Sequence, residues 1–235
     1  MLMQGRAAET SLHDARIRAA EVSGGDSSPV IHQAFESTLR ALKLRGNVLD
    51  FGAGRGHLAA RLTRLGSFSS VSAVDLVDPA GRLDQTVQWL VADLNEPLSY
   101  AGSSFDVIVA SEVIEHLENP RAMARECFRL LRPGGSLVIS TPNNESWRSL
   151  LSLAFQGHFA MFGPSSYPAH LTALVRRDLE RCLVEAGFEP PRFIFTNHGG
   201  LPKFGRITWQ RVSGGVLKGL RFSDNLLAVS AKPGR

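Results

Sequence analysis

The chain has 235 residues, 43% of them apolar and 20% charged, and only 2 cysteines. That composition excludes a disordered, collagen-like or disulfide-stapled protein, and no run of about 18 apolar residues offers a membrane span. The net charge of +4 is uneven: from Pro190 onward eight basic residues stand against one acid, Asp224, an asymmetry that points to an anionic partner. Residues 1–28 are polar and close on Ser-Gly-Gly-Asp-Ser-Ser-Pro, so a flexible or weakly helical N-terminus is expected, with a short helix over 12–22. It begins without an apolar leader segment, and Cys127 and Cys182 read as reduced thiols, so a cytoplasmic setting is expected. Pro29 opens a helix whose Val30, Ile31, Phe35, Leu39 and Leu42 share one face.

From Asn47 short apolar runs alternate with helical ones. Strands are predicted over 47–51, 71–75, 87–92, 105–110 and 136–141, with helices over 57–65, 120–131 and 171–186, then strands over 192–196 and 226–231. Such alternation predicts an α/β fold, one domain over 29–235 with a mostly parallel seven-stranded sheet and helices on both faces. Two insertions interrupt it. Residues 143–169 carry an amphipathic helix through Trp147, Leu150, Leu151, Ala154 and Phe155, and residues 198–223 fill a link where a tight hairpin would suffice. Both are expected to cap a substrate site.

The strand over 47–51 runs into Asp50-Phe51-Gly52-Ala53-Gly54-Arg55-Gly56, a turn that lets a ligand approach bare backbone. Its glycine spacing differs from the GxGxxG of dinucleotide sites, which disfavours a reductase. In open α/β sheets the ligand lies outside the carboxyl ends of the strands, and two further strand ends bear acids, Asp75 and Asp93. Asp50-x-Gly-x-Gly-x-Gly, Asp75, Ala92-Asp93, Phe105-Asp106-Val107-Ile108 and Leu131-Arg132-Pro133-Gly134-Gly135 resemble, in order and spacing, the Rossmann-like class I methyltransferases dependent on S-adenosylmethionine (SAM). The resemblance covers roughly 45–190. It implies a SAM site of Asp50, Gly52, Ala53, Gly54 and Gly56, with Asp75 and Leu76 at the ribose, Asp93 and Leu94 at the adenine, and Ser111 beside them.

Ser111-Glu112-Val113-Ile114-Glu115-His116-Leu117 follows the fourth strand, where the reaction is expected. SAM is already activated, so the protein must supply alignment and a deprotonated acceptor. Two roles for His116 are open: a metal-free base taking the acceptor proton, or one ligand of a site. The Glu-x-x-Glu-His string resembles that of ubiquinone-biosynthesis and small-RNA 2′-O-methyltransferases. That resemblance implies a divalent ion held by Glu112, Glu115, His116 and, just before the next helix, His170, with Mg²⁺ or Mn²⁺ suiting the donors. Small-molecule methyltransferases also carry similar strings without metal.

The aromatic first insertion favours a hydrophobic acceptor. Thr141-Pro142-Asn143-Asn144 and the helix after it also resemble methyltransferases of glycolipid and polysaccharide synthesis. A quinone-like or lipid-linked hydroxyl is therefore the expected acceptor, and O-methylation the expected reaction. Lys203, Arg206, Arg211, Lys218 and Arg221 among aromatics suggest peripheral membrane contact through 198–223. RNA comes second, because no RNA-binding module accompanies the domain, and a non-catalytic SAM-binding regulatory module is the alternative outside enzymes.

Overall fold

The computed structural model describes residues 2–78, 81 and 84–234. Helices α1 (Leu2–Ser23) and α2 (Pro29–Ala41) precede a run of β1 (Gly46–Phe51), α3 (His57–Leu65), β2 (Phe68–Asp75), β3 (Gln88–Val91) and β4 (Phe105–Ser111). Then come α4 (Pro120–Leu130), β5 (Leu131–Pro142), α5 (Trp147–Gln156), α6 (Arg176–Ala186) and β6 (Arg192–Phe195). A small hairpin of β7 (Gly200–Leu201) and β8 (Phe204–Thr208), a turn of helix α7 (Trp209–Val212) and β9 (Asn225–Ala231) complete the chain.

Seven strands form one sheet in the order β3-β2-β1-β4-β5-β9-β6. All pairs are parallel except those of β9, which runs antiparallel to both β5 and β6. Alternate residues of the central strands feed two cores. Leu49, Phe51, Ile108 and Leu137 pack with Met123 and Cys127 of α4 and Leu179 and Leu183 of α6. On the opposite face Val48, Val107, Val109 and Val138 pack with Ile31, Phe35 and Leu39 of α2 and Leu58 and Leu62 of α3. Burial on both faces is why these strands read as continuous apolar runs rather than alternating ones. The chain order reverses between β1 and β4, so the crevice at their carboxyl ends is where a ligand site belongs in such a sheet.

Some elements differ from the sequence expectation for local reasons. The N–H groups of Leu171 and Thr172 both donate to the Glu115 carbonyl, at 2.8 and 3.0 Å, which holds 171–175 extended and delays α6 to Arg176. Strand β5 absorbs 131–135, because Gly134 N–H donates to the Lys232 carbonyl and Lys232 N–H to the Gly135 carbonyl, each at 2.9 Å. Helix α1 begins ten residues before the segment that sequence marks as helical. Among the described residues no helix is long and apolar enough to cross a membrane.

Candidate active site

The crevice at the ends of β1, β2 and β4 opens into a cavity of about 1100 Å³. Asp50, Gly52, Ala53, Gly54, Asp75, Leu76, Asp93, Leu94, Ser111, Glu112, His116 and His170 all line it. The glycine turn is packed against the chain that precedes the domain. A Cβ on Gly54 would collide with the Gly25 carbonyl oxygen, which accepts the Arg55 N–H at 2.9 Å. Gly52 is at φ 80°, where any side chain would also meet Val113. Gly56 does not line the cavity; it caps the start of α3 instead.

Three acids surround this turn in different states. Asp50 is completely buried, and neither carboxylate oxygen has a hydrogen bond of ordinary geometry. Burial, reinforced by the neighbouring charge of Asp75, pushes its pKa up to about 8, with only the Ala59 N–H opposing. Asp75 accepts the Gly54 N–H at 2.8 Å, tying the glycine turn to the end of β2, and burial raises its pKa too. Burial also pushes Asp93 upward. The Asn95 N–H and the Arg16 guanidinium outweigh it and hold that carboxyl below its usual value.

The string after β4 divides its acids. Glu112 stands at φ 54°, and its Oε1 accepts the Asn225 amide at 2.6 Å. The chain then makes a single 3₁₀ turn over Ile114–His116. Candidate ligand atoms of Glu115, His116 and His170 all lie within 4.8 Å of one another, and Glu112 falls outside this group. Both imidazoles are oriented the same way: His116 Nδ1 meets the Ala169 carbonyl at 2.8 Å and His170 Nδ1 the Met161 carbonyl at 2.5 Å. A carbonyl only accepts, so each ring carries its proton on Nδ1 and leaves an Nε2 lone pair. Glu115 is fully buried; Oε2 accepts from Thr141 at 3.2 Å, while Oε1 has no partner. Burial and the Glu112 charge push its pKa well above the carboxylate range. Burial, with His170 adding to it, lowers His116 to about 4. A buried acceptor with no donor, facing two neutral imidazoles, is a donor set that a cation would satisfy.

Sequence reasoning had no hold on three residues here. Ser27 accepts a bond from the Ser111 hydroxyl at 3.0 Å, Asn225 orients Glu112, and Arg16 binds Asp93 at 2.8 Å. Each acts across 77 or more residues of chain. The cationic insertion is tied to the first one: Arg221 donates to the Glu145 carbonyl at 2.7 Å and lies over the Trp147 ring, while Lys203, Arg206, Arg211 and Lys218 remain exposed.

Residues 28–190 match the family model described as a methyltransferase domain. The mitochondrial ubiquinone biosynthesis O-methyltransferase of Rattus norvegicus is 36% identical over 130 residues, which cover 50% of this chain and 36% of that protein. The ubiquinone biosynthesis O-methyltransferase of Dinoroseobacter shibae is 31% identical over 150 residues, covering 61% of this chain and 60% of that one. The chain thus spans between a third and about three fifths of the length of these two relatives. Among solved structures, a 1,6-didemethyltoxoflavin-N1-methyltransferase of Burkholderia thailandensis with bound S-adenosylhomocysteine superposes with a TM-score of 0.60. It is 20% identical and covers 97% of this chain and 90% of that one, a likeness of fold.

Proposed function

The chain belongs to the methyltransferase-domain family, and we propose that it is a SAM-dependent O-methyltransferase acting on a hydroxyl of a quinone-like or lipid-linked acceptor. The observation that carries this reading is the convergence of Glu115, His116 and His170 beside the cavity floored by the glycine turn. The names of the ubiquinone-biosynthesis relatives support the choice of oxygen and of a quinone-like ring.

The transfer forms one O–C bond and breaks one S–C bond, turns the donor's sulfonium into a thioether, and leaves the hydroxyl proton to be removed. The donor site fits a cation: Asp50 and Asp75 are buried acids whose ionised forms gain from a positive charge placed between them and the solvent. Asp75 and Asp93 offer the ribose and adenine ends carboxylate acceptors, with Leu76 and Leu94 walling the same cavity. Glu115, His116 and His170 would hold a divalent ion such as Mg²⁺ or Mn²⁺, whose Lewis acidity would lower the pKa of the acceptor hydroxyl. The two Nε2 lone pairs and the orphaned Glu115 oxygen are the donors it needs. His116 alone is a weak base at a pKa of about 4, which favours its role as a ligand over that of metal-free base. Exposed Phe204, Val212 and Val216 beside the exposed Lys203, Arg206, Arg211 and Lys218 support contact with an anionic membrane surface that holds such acceptors.

Transfer of a tritiated methyl group from SAM to a catechol-ring quinone precursor, to lipid extracts and to RNA, each with and without EDTA, tests the whole reading. Label on the quinone precursor that disappears with EDTA and returns with Mg²⁺ or Mn²⁺ is the expected result. Label on RNA alone would overturn the acceptor, and SAM binding without transfer to any pool would make the chain a binding module.

A further inference from the structure

Helix α1 has no buried residue between Leu12 and Ser23, yet it lies along the cavity and contributes Ala15, Arg16, Ala19 and Ala20 to its wall. A stretch that buries none of its residues gains little from packing and sits at the low end of local stability. Among the described side chains of 12–23, the one that ties it to the rest of the fold is Arg16. Arg16 Nε and Nη2 donate in parallel to the two oxygens of Glu118, each at 2.9 Å, while Nη1 donates to Asp93 at 2.8 Å and to Glu96 at 3.3 Å. The Arg16 side chain is only 15% exposed, so this forked, partly shielded pairing is stronger than an ordinary surface ion pair. At its other end the helix stops at Gly24 and Gly25, with φ values of 73° and 60°, and the Gly25 carbonyl is stapled to the glycine turn.

We propose that α1 is a lid over the methyl-donor pocket, hinged at Gly24–Gly25 and latched by Arg16 onto Glu118 and Asp93, and that this latch governs exchange of the donor and its product. The inference rests on the donor-site reading above. With α1 in place a cavity of about 1100 Å³ still leaves room for a ligand, so the lid lies over the donor and does not take its place. Asp93 keeps acceptor capacity while latched, because each carboxylate oxygen has two lone pairs and Oδ2 spends one on Arg16.

The test uses S-adenosylhomocysteine as probe, with Arg16→Met, which keeps the stem and removes the charge, and Glu118→Gln, which unlatches from the other side. Rapid-mixing kinetics give the on- and off-rates, and hydrogen exchange of 12–23 reports the helix. The expected result is that both rates rise in both variants. The off-rate rises more, by about 10- to 100-fold, as loss of a charged hydrogen-bond pair implies. Exchange in 12–23 becomes faster while the unfolding midpoint stays put. A faster off-rate with unchanged on-rate and unchanged exchange would overturn the latch and make Arg16 a plain contact residue. Unchanged rates in both variants, in a protein that binds the probe, would also overturn it. Wild type that fails to bind the probe at all would instead bring down the donor-site reading, and the lid with it.

Discussion

Asp50→Asn separates the two demands on the buried acid of the glycine turn. In the fold its carboxyl titrates at about 8; in the unfolded chain it titrates near the ordinary 3.8. Between those values the folded protein holds a proton that the unfolded chain has released, so stability is fullest below about pH 4 and is lost as pH rises towards 8. Each pH unit inside that window costs ~1.4 kcal/mol, which makes the loss between pH 5 and 8 roughly 3–4 kcal/mol. Asparagine has the same shape and cannot ionise. Its own buried amide adds an unsatisfied-donor cost of about 1–3 kcal/mol, but that cost does not vary with pH. The prediction is therefore a slope: urea unfolding at pH 5, 6, 7 and 8 should show the variant gaining on wild type by ~1.4 kcal/mol per unit. Donor binding should move the opposite way. A cationic ligand favours ionised Asp50, so the variant's deficit in SAM affinity should grow from pH 6 to pH 8. A stability difference that stays flat across pH 5–8 would refute the assignment of a raised pKa to this residue and the electrostatic argument built on it.

Asp75→Ala should weaken SAM binding by about 1.5–3 kcal/mol, read by calorimetry on a variant that still folds, because it removes a charged acceptor and unties Gly54 from β2. Replacing Arg206, Arg211 and Lys218 with glutamine should lower binding to phosphatidylglycerol vesicles by about 1 kcal/mol per charge, and high salt should do the same to wild type. Turnover of a short soluble acceptor analogue should barely change in that triple variant, since its three side chains are exposed and none lines the cavity.

The sheet and the donor turn were legible because their causes are local. Val48, Leu49 and Phe51 are apolar since β1 is covered on both faces, and Gly52 and Gly54 are glycines since Val113 and Gly25 leave no room for a side chain. Legibility ends where a contact joins distant segments. Leu171–Val175 continues an apolar pattern that sequence assigns to the following helix, but two bonds to the Glu115 carbonyl override it. Nothing in residues 12–23 marks Arg16 as different from Arg18; only the fold, by carrying Asp93 and Glu118 to one spot, sets them apart. The Nδ1 protons of His116 and His170 are likewise fixed by carbonyls of Ala169 and Met161, and backbone carbonyls leave no trace in a sequence.

In a helical segment the i, i+3, i+4 spacing of Glu112, Glu115 and His116 would bring all three to one face, and that is where geometry and pattern part. An i, i+3 pair converges only if the backbone between is helical. Here the helical turn starts at Ile114, and Glu112 precedes it in a left-handed conformation at φ 54°. Its carboxylate consequently turns to Asn225, while Glu115 faces the two imidazoles. The two glutamates should therefore respond differently to the same isosteric change. Glu115→Gln removes a charged ligand and should weaken Mn²⁺ binding, followed by electron paramagnetic resonance, by at least tenfold, the loss expected when one donor of a metal site is neutralised. Glu112→Gln should leave Mn²⁺ affinity within about twofold, because the side chain lies outside the converging donors and glutamine can still accept from Asn225. Equal losses in the two variants would mean that all four residues close on the ion, and that the string turns helically when metal is bound.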